Sequence, residues 1–504
     1  MNNEYRCFRS DFYRLCQQKG KEIMIIYAKE EKKFYSYEDV FYLVKRYLSL
    51  FNKNGVMEGD TIVSILPNSP EAIICFFAAA YVGINYAPVP CTVTNREFSN
   101  WIKLTKPKLI LKKEGIADYS VGSVLYNCKC DGDFSWLPTE MNDCEKNITA
   151  NVYLMTSGTT GLPKALSINI DKLWSSGVAF TEYYNIKNAE YRFWNYLPMS
   201  YLGGLYNLAI IPLCSKGSFV ISESFSGKTI LNYWNFIQSN KINALWLVPS
   251  IVQGLLKIKK IVGNKKNSKT TIKIAFLGTA SIQLEKKQEF EEIFGIRLYE
   301  NFALSETTFL TAEKDGDIRF REEGSVGQVL PHVALKFVPV EGLKNVNTIW
   351  VKSPYLFNGY LSVNGVTDLE LDQEGYFDSK DLGYINEDDV LVLCGRSRDI
   401  IKKGGLFVSM VEIETVVKQL GFIEDVSAVP IRHDFYGEAY ILCVIFKEKK
   451  EMDEQKNKLH LWMVDNFVPY KMPEMIQVYD EFPKTDSGKI QKKVMADQIE
   501  KGIK

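Results

Sequence analysis

The chain has 504 residues, several times the roughly 100–200 residues of a usual domain, so two or more domains are expected. Its 61 lysine and arginine residues equal its 61 aspartate and glutamate residues, whereas a protein built around nucleic acid would carry a basic excess. Hydrophobic residues make up 46% of the chain, and no apolar run reaches the ~18 residues of a membrane span, which predicts a globular protein without such a span.

The first residues are polar and lack the apolar core of a signal peptide, so a cytoplasmic protein is expected. The ten cysteines include a lone Cys128-x-Cys130 pair with Cys144 nearby, and the three histidines of the chain lie far from one another. A zinc site would need four ligands at recognisable spacing. We therefore expect no metal cluster, and ordinary reduced thiols.

Short apolar runs alternate with helix-patterned stretches over the first four-fifths of the chain. A predicted strand at 61–66 precedes a predicted helix from Glu71 to about Val82. Further strands are predicted at 84–89, 108–113, 151–157, 244–250, 272–278 and 296–302. Strands separated by helices imply βαβ units and mostly parallel sheets, which bind ligands beyond the carboxyl ends of their strands. A lysine-rich run from Lys257 to Lys273 is expected to be a solvated loop, with a polyanion or membrane contact as the alternative.

The pattern changes after about residue 330. Short antiparallel strands are predicted at 335–340, 347–353, 375–381 and 389–395, and a compact α+β segment is predicted after 395–405. We place a domain boundary near Arg398, giving domains 1–397 and 398–504. The predicted fold class is α/β, with a large N-terminal domain of mixed and parallel sheets flanked by helices, a small β subdomain, and a small C-terminal α+β domain.

The sharpest local signal is TSGTTGLPKAL, which spans Thr156 to Leu166 after a predicted strand. Glycines let backbone N–H groups converge on an anion, hydroxyl side chains add donors, and Lys164 adds a positive charge, which suits triphosphate oxygens. The spacing is not that of a Walker A loop, and a flexible surface turn is the alternative. The candidate phosphate ligands are Thr156, Ser157, Gly158, Thr159, Thr160, Gly161 and Lys164.

SGTTGLPK closely resembles the phosphate-loop signature of the adenylate-forming superfamily, which includes acyl-CoA synthetases, luciferases and peptide-synthetase adenylation domains. Six more of its motifs follow in the family's order across nearly the whole chain. The resemblance implies an N-terminal domain that holds ATP and the acyl group, and a mobile C-terminal domain that carries a catalytic lysine.

Two of these motifs imply ligands of ATP, magnesium and the acyl group. LGTAS (277–281) resembles a strand-end loop that lines the acyl pocket and approaches adenine, and NFALSETT (301–308) resembles Y-G-x-T-E. In the latter Glu306 would hold Mg²⁺, and Ser305 or Thr307 would lie near the α-phosphate. Without the motif, Glu306 would be interpreted as a solvated acid at a helix start. The implied ATP ligands are Gly278, Asn301, Phe302, Ser305 and Thr307, and the implied acyl-pocket residues are Thr279, Ala280 and Ala303, the last in place of the usual glycine.

Three later motifs imply residues of the ribose site, the hinge and the catalytic centre. YFDSKDLG (376–383) resembles Y-x-T-G-D, whose aspartate, here Asp381, accepts from the ribose hydroxyls, although lysine replaces its glycine. GRSRDIIKKGG (395–405) resembles the hinge motif, in which Arg396 would contact the nucleotide and Arg398 would be the pivot. FPKTDSGKIQK (482–492) resembles the closing motif, in which Lys489 would stabilise charge between the carboxylate and the α-phosphate.

LPMSYLGGLYN (197–207) resembles the gate to the acyl site, with Tyr201 where many relatives carry histidine and with Gly204 in the pocket. Plain core packing of Tyr201 and Tyr206 is the alternative. No acid is present here to pair with an ammonium, so an α-amino acid substrate is disfavoured. The aromatic residues near the pocket motifs favour a short or planar acid, and they are Trp194, Tyr201, Trp246 and Phe302.

The expected activity is ATP-dependent conversion of a carboxylic acid to acyl-AMP with release of pyrophosphate, followed by transfer to a thiol. The implied cofactors and co-substrates are ATP, Mg²⁺ and coenzyme A. A carrier domain after residue 504 is not expected, and a free-standing acyl carrier protein is an alternative acceptor. An enzyme that stops at, or oxidises, the adenylate would also carry these motifs, as would a non-catalytic nucleotide-binding homologue.

Overall fold

The computed structural model describes residues 5–29, 31–112, 125–127, 148–156, 164–187, 191–262, 271–280, 282–340, 346–403, 406–484, 490–500 and 502. The chain folds into two compact units. The first consists of Met1–Arg319, Gly327–Ala334 and Lys352–Leu371, and the second of Phe320–Val326, Leu335–Val351 and Asp372–Lys504.

The strands, in chain order, are β1 (Ile23–Ala28), β2 (Lys32–Ser36), β3 (Thr61–Ile65), β4 (Asn85–Pro88), β5 (Leu109–Lys112), β6 (Leu125–Asn127), β7 (Asn151–Thr156), β8 (Lys164–Asn169), β9 (Arg192–Asn195), β10 (Ser218–Ile221), β11 (Ala244–Leu247), β12 (Ile274–Leu277), β13 (Tyr299–Leu304), β14 (Thr308–Ala312), β15 (Ser325–Val329), β16 (Ala334–Pro339), β17 (Asn347–Lys352), β18 (Gly359–Ser362), β19 (Gly365–Val366), β20 (Phe377–Ile385), β21 (Val390–Arg396), β22 (Ile400–Lys403), β23 (Leu406–Ser409), β24 (Ile423–His433), β25 (Gly437–Phe446) and β26 (Met475–Val478).

The α-helices, in chain order, are α1 (Phe8–Lys19), α2 (Tyr37–Lys53), α3 (Pro70–Tyr81), α4 (Asn95–Thr105), α5 (Ile170–Tyr183), α6 (Ile211–Cys214), α7 (Gly227–Leu231), α8 (Tyr233–Ser239), α9 (Pro249–Val262), α10 (Leu284–Phe294), α11 (Met410–Lys418), α12 (Met452–Asn466) and α13 (Lys492–Glu500). A π-helical segment, Gly203–Ile210, runs directly into α6.

The first unit contains two sheets built mainly from parallel strands. In one, β13, β12, β11, β9, β10 and β1 are successive parallel neighbours, and β14 and β2 flank them through antiparallel pairs. In the other, β7, β4, β3, β5 and β6 are parallel, and β8, β18 and β19 continue the sheet through antiparallel pairs. The expected mostly parallel sheets are confirmed.

The helix that follows β3 shows how local sequence and burial act together. α3 begins at Pro70, and the preceding Ser69 accepts a hydrogen bond from the backbone N–H of Ala72 at 3.3 Å. Serine before a first turn and proline within it are favoured helix starts. Every residue of α3 except Glu71 is buried, which accounts for its almost uniformly apolar sequence.

The second unit contains the antiparallel strands predicted after residue 330 and the C-terminal α+β segment. β16, β17, β20 and β21 are successive neighbours, while β24 and β25 form a long antiparallel pair that β26 extends in parallel. α11 buries Ile413 and Val417 in a core that includes Tyr440 and Leu442. The domain boundary near Arg398 stays a prediction.

The lysine-rich run differs in part from the prediction of a loop. Lys257 and Lys259 lie on α9, because the apolar residues before them recur at helical spacing and bury one face, which includes Leu255 and Leu256. Residues 263–270 of the run, and the cysteines Cys128, Cys130 and Cys144, lie outside the described residues. Across the described ranges, no helix combines the length and the apolar character that crossing a membrane requires.

A buried ion cluster joins α10 to the β13–β14 hairpin. The Lys287 ammonium lies 2.9 Å from Glu300 Oε2 and 2.8 Å from Glu313 Oε2, and none of the three residues is more than 6% exposed. The Glu313 carboxylate also accepts the backbone N–H of Glu300 at 2.9 Å. Two buried carboxylates therefore share this one ammonium, which anchors the base of the hairpin.

We expect Lys287→Met to lower the free energy of unfolding by about 3–5 kcal/mol, because removing one partner leaves buried charge without its counter-ion. Lys286→Met is the matched control, since the contacts of Lys286 with Glu285 and Glu289 are partly exposed and should contribute less than about 1 kcal/mol. Urea unfolding measures the free energy of unfolding of both variants and of the wild type. Equal losses in the two would contradict the anchoring role of the cluster.

Candidate active site

The candidate phosphate loop connects two paired strands. β7 ends at Thr156 and β8 begins at Lys164, and these two residues face each other across the antiparallel pair. The ends of the loop are therefore held together by strand pairing. Outside the described residues lie Ser157, Gly158, Thr159, Thr160 and Gly161, and the side chains of Thr156 and Lys164.

Two other candidate segments follow neighbouring strands of the larger sheet of the first unit. Gly278, Thr279 and Ala280 come directly after β12, and 301–307 covers the end of β13 and the turn after it. β12 and β13 are parallel neighbours. Their carboxyl ends therefore lie at one edge of the sheet, the edge at which parallel sheets bind ligands.

These two segments are in direct contact through an asparagine. Asn301 Nδ2 donates to the backbone carbonyl of Leu277 at 3.0 Å. A Cβ at Gly278 would lie 2.8 Å from Asn301 Oδ1, a distance that side chains do not adopt. Glycine at 278 thus allows the close approach of the two candidate loops.

Residues of NFALSETT divide between the interior and the surface. Asn301 and Phe302 are buried, and Ala303 is exposed. Thr307 is fully buried and its hydroxyl donates to the Thr308 carbonyl at 3.1 Å. Ser305 is half-buried and is the more accessible of the two residues predicted near the α-phosphate.

Glu306 lies in the turn between β13 and β14, so its interpretation as a helix-start acid is wrong. Its backbone carbonyl accepts the N–H of Phe357 at 2.8 Å, and its Oε1 accepts the hydroxyl of Tyr360 at 3.1 Å. Burial, and then the charge of Glu306, raise the pKa of Tyr360, which keeps that hydroxyl protonated as a donor. These contacts hold the half-buried carboxylate in one orientation.

Tyr360 is a site residue that the sequence reasoning missed. It lies on β18 opposite Leu166 of β8, two residues after Lys164. The strand that carries Lys164 is thus joined to the Glu306 turn through one tyrosine. The only local signal is the Gly359-Tyr360 dipeptide, which is too common to indicate a site, because the contact arises from pairing between distant parts of the chain.

Several candidate segments contain strained backbone. Thr279 and Thr308 have φ angles of 74° and 59°, and a β-branched residue in this left-handed region is an outlier. Lys380, beside Asp381, has a φ of 61° at the position where the resembling motif has glycine. Such conformations cost on the order of 1–3 kcal/mol each and cluster at functional sites. Their occurrence here supports a functional interpretation of these loops.

The gate segment contains one exposed and one buried tyrosine. Tyr201 is 41% exposed, so the core-packing alternative is wrong for it, whereas Tyr206 is 2% exposed and stacks on Phe309. The segment follows β9, which is parallel to β11, and so it begins at the same sheet edge as the loops after β12 and β13.

The tryptophans do not support the inference of a short or planar acid. Trp194 and Trp246 have no exposed surface. Trp246 packs against Phe180 and Phe276, at centroid distances of 5.5 and 4.9 Å, and belongs to the aromatic core. Sequence proximity to a pocket motif does not determine which way a side chain faces, so these two tryptophans give the inference no support, and a short or planar acid stays a prediction.

Gly204 marks a close approach of two backbone segments. A Cβ at this position would lie 2.4 Å from the carbonyl oxygens of Leu197 and Pro198. A Cβ at the neighbouring Gly203 would meet only the Leu197 side chain, at 3.1 Å. Asn195 Nδ2 donates to the Gly204 carbonyl at 2.9 Å and fixes the same turn.

In the second unit, Asp381 and Arg396 face each other across β20 and β21. Arg396 Nε lies 2.9 Å from Asp381 Oδ1, and Asp381 is 4% exposed. Arg398 lies in the 3₁₀ turn Ser397–Asp399, with its side chain outside the described residues, and Lys489 lies outside them entirely. The flanks of the Lys489 segment pair as a bridge between Lys484 and Ile490.

The donor set around Glu306 fits a magnesium ion. No cluster of three or more histidine, cysteine or acidic side chains that could hold a metal occurs among the described residues. Mg²⁺ characteristically takes one or two protein carboxylates and completes its octahedral shell with water and substrate phosphates. A single oriented carboxylate, joined through Tyr360 to the strand that follows the phosphate loop, matches that chemistry.

Comparison with known families and proteins identifies the family of the chain. The family model for AMP-binding enzymes matches residues 12–361, and the model for the AMP-binding enzyme C-terminal domain matches residues 412–489. The chain is 25% identical to malonate–CoA ligase of Arabidopsis thaliana over 88% of this chain and 79% of that protein. It is 24% identical to 4-coumarate:CoA ligase 1 of Petunia hybrida, over 93% and 90% of the two chains.

Solved structures share the fold. ATP-bound MatB from Rhodopseudomonas palustris matches with a TM-score of 0.85 at 22% identity, covering 98% of this chain and 100% of that one. o-Succinylbenzoate CoA synthetase from Bacillus subtilis, in complex with its acyl-adenylate, matches with a TM-score of 0.77 at 17% identity, covering 96% and 97%.

The protein belongs to the AMP-binding enzyme family, since the family model covers more than half of its length. The predicted superfamily, the fold class and the class of enzyme, an AMP-forming acid–thiol ligase, are confirmed. The roles of individual residues in this chain stay predictions.

We expect Gly204→Ala to lower the free energy of unfolding by about 1–3 kcal/mol, because its methyl group meets two backbone carbonyls that cannot move away. Gly203→Ala is the matched control and should cost less than about 1 kcal/mol, since the flexible Leu197 side chain can yield. Urea unfolding compares the two variants. A larger loss for Gly203→Ala would contradict the packing described here.

Proposed function

We propose that this chain uses ATP and Mg²⁺ to convert a carboxylic acid to its acyl-adenylate, and then transfers the acyl group to coenzyme A. The observation that carries the proposal is the arrangement around Glu306. Its carboxylate is joined through Tyr360 to the strand that begins at Lys164, and its turn is adjacent to the loop after β12. The relatives named above are CoA ligases, which supports coenzyme A as the acceptor.

The first half-reaction is displacement at the α-phosphorus. A carboxylate oxygen of the acid attacks it, the bond to the oxygen bridging the α- and β-phosphorus atoms breaks, and pyrophosphate leaves. When bound, Mg²⁺ neutralises charge on the phosphate oxygens. We assign Glu306 as its carboxylate ligand, and the 156–164 hairpin as the donor of N–H groups, hydroxyls and a lysine charge to those oxygens.

The residues proposed for nucleotide recognition are those that the sequence motifs indicate. In the first unit, Gly278, Asn301 and Phe302 are the proposed adenine side of the site, and Ser305 and Thr307 the proposed neighbours of the α-phosphate. In the second, Asp381 is the proposed acceptor for the ribose hydroxyls, supported by the arginine that pairs one of its oxygens. Lys489 is proposed to stabilise charge on the carboxylate and α-phosphate as pyrophosphate departs.

The second half-reaction is acyl transfer. The thiolate sulfur of coenzyme A attacks the carbonyl carbon of the adenylate, the carbon–oxygen bond to phosphate breaks, and AMP leaves. The acyl-pocket residues proposed are Tyr201, Gly204, Thr279, Ala280 and Ala303. A movement about Arg398 between the half-reactions, a carrier protein as alternative acceptor, and a cytoplasmic location stay predictions from the sequence.

The test is acid-dependent pyrophosphate release, with and without coenzyme A. The acids are malonate, 4-coumarate, crotonobetaine, carnitine and o-succinylbenzoate, taken from the names of the relatives and structural neighbours. We expect at least one acid to drive pyrophosphate release and coenzyme A to accelerate turnover.

Lys489→Ala should slow adenylation by roughly 10²–10³-fold, the usual loss for one charge-stabilising donor. Lys493→Ala, at an exposed neighbouring position, is the control, and its adenylation rate should stay within about twofold of the wild type.

Different results would favour different functions. Release that does not respond to coenzyme A, with no thioester formed, would favour a carrier-protein acceptor or an enzyme that ends at the adenylate. Binding of ATP without release for any acid would favour a non-catalytic nucleotide-binding protein. Equal activities of Lys489→Ala and Lys493→Ala would remove Lys489 from the mechanism.

A further inference from the structure

A chain of buried hydroxyl groups ends at the turn that carries Glu306. The Tyr206 hydroxyl donates to Ser176 Oγ at 2.9 Å, Ser176 Oγ donates to Thr308 Oγ1 at 2.8 Å, and Thr308 Oγ1 donates to the Thr307 carbonyl at 2.6 Å. All four residues are at most 2% exposed. The donors all point one way: Tyr206 donates first, and the hydroxyls of Ser176 and Thr308 each accept one hydrogen bond and donate the next.

The last hydroxyl of this hydrogen-bonded chain belongs to Thr308, whose backbone is strained. Thr308 has a φ of 59°, a conformation that glycine adopts freely and that a β-branched residue adopts only when its surroundings hold it there. Thr308 is two residues after Glu306 and opens β14. Its backbone direction therefore affects how the turn that carries Glu306 enters β14.

The three hydroxyl-bearing residues come from separate elements of the first unit. Ser176 lies on α5, Tyr206 on the π-helical segment that contains Gly204, and Thr308 at the start of β14. Burial raises the pKa of Tyr206 well above its usual value, so its hydroxyl remains a donor. A hydroxyl chain in a dry interior is strong when every member is satisfied, and loss of one member leaves the others short of a partner.

We propose that the Tyr206–Ser176–Thr308 chain holds Thr308 in its left-handed conformation and thereby positions Glu306 for the metal–nucleotide complex. The three are positioning residues, and none of them is assigned a contact with substrate. This inference rests on the proposed function in one respect, the assignment of Glu306 as the magnesium ligand. It extends the site from the gate segment, which contains Tyr206, to Ser176 on α5, a residue that no motif indicated.

Two substitutions of Thr308 separate positioning from simple packing. Thr308→Val keeps the branched shape but removes the hydroxyl and with it the side-chain hydrogen bonds to Ser176 and the Thr307 carbonyl, so the strained φ loses this support and the turn should relax. Thr308→Gly removes more volume but adopts the same φ without strain. If the chain acts by positioning, valine is the worse replacement for metal binding. If Thr308 only fills space, glycine is the worse replacement, since a larger void costs more.

The experiment measures binding rather than turnover. Manganese ion is the probe, and its dissociation constant is measured by electron paramagnetic resonance in the presence of saturating α,β-methylene ATP, which the enzyme cannot cleave at the α-phosphorus. We expect Tyr206→Phe, Ser176→Ala and Thr308→Val each to weaken Mn²⁺ binding about fivefold, the effect of about one net hydrogen bond. Thr308→Gly should stay within about twofold of the wild type, and Tyr206→Phe should have no further effect in the Thr308→Gly background.

Tyr184→Phe is the matched control. Its hydroxyl is also buried, and no hydrogen-bond partner for it is present among the described residues, so its removal should leave Mn²⁺ affinity within about twofold. Glu306→Gln should weaken Mn²⁺ binding more than Tyr206→Phe, Ser176→Ala or Thr308→Val does. If it does not weaken binding, the magnesium assignment and this inference both fail. If Glu306→Gln weakens binding but Thr308→Val binds Mn²⁺ as well as Thr308→Gly, the inference alone is overturned.

Discussion

The β13–β14 hairpin is the element on which the site in the first unit depends. Its base is held by the Lys287 ammonium shared between Glu300 and Glu313, and its turn by the Phe357 and Tyr360 contacts to Glu306. Polar groups in an apolar interior interact strongly and tolerate few alternative arrangements. The carboxylate proposed to bind magnesium is therefore presented from a turn with little freedom to move.

Parallel strand pairing places the remaining loops of that unit. The ends of β9, β12 and β13 lie at one edge of a sheet, so the gate segment, the Gly278 loop and the Glu306 turn share that edge. The strands β7 and β8, which flank the candidate phosphate loop, belong to the other sheet. Residues 357–361 connect β8 to Glu306. Pairing between strands of two sheets thus connects loops that are far apart in sequence.

Much of the fold was predictable because buried strands and helices leave local patterns. The alternation of apolar runs and helices indicated the parallel sheets, and α3 was predicted to within about a residue at each end. Ser69 and Pro70 mark its start in the structure. Prediction failed where burial depends on distant contacts. Trp194 and Trp246 face the core because neighbouring elements cover them, and local sequence does not record those neighbours. Lys257 and Lys259 are a different case, since the apolar spacing before them already indicated the helix that carries them.

The amino-acid sequence by itself determined the order of motifs that relates the protein to AMP-binding enzymes, and it predicted a glycine- and hydroxyl-rich loop for phosphate and acidic residues for magnesium and ribose. Only the tertiary structure decided that Tyr206 is buried while Tyr201 is exposed, that Tyr360 donates to Glu306, and that Ser176 supports Thr308. The physical reason is that a motif records which groups a reaction needs, whereas the contacts that hold them arise between strands and helices far apart in the chain.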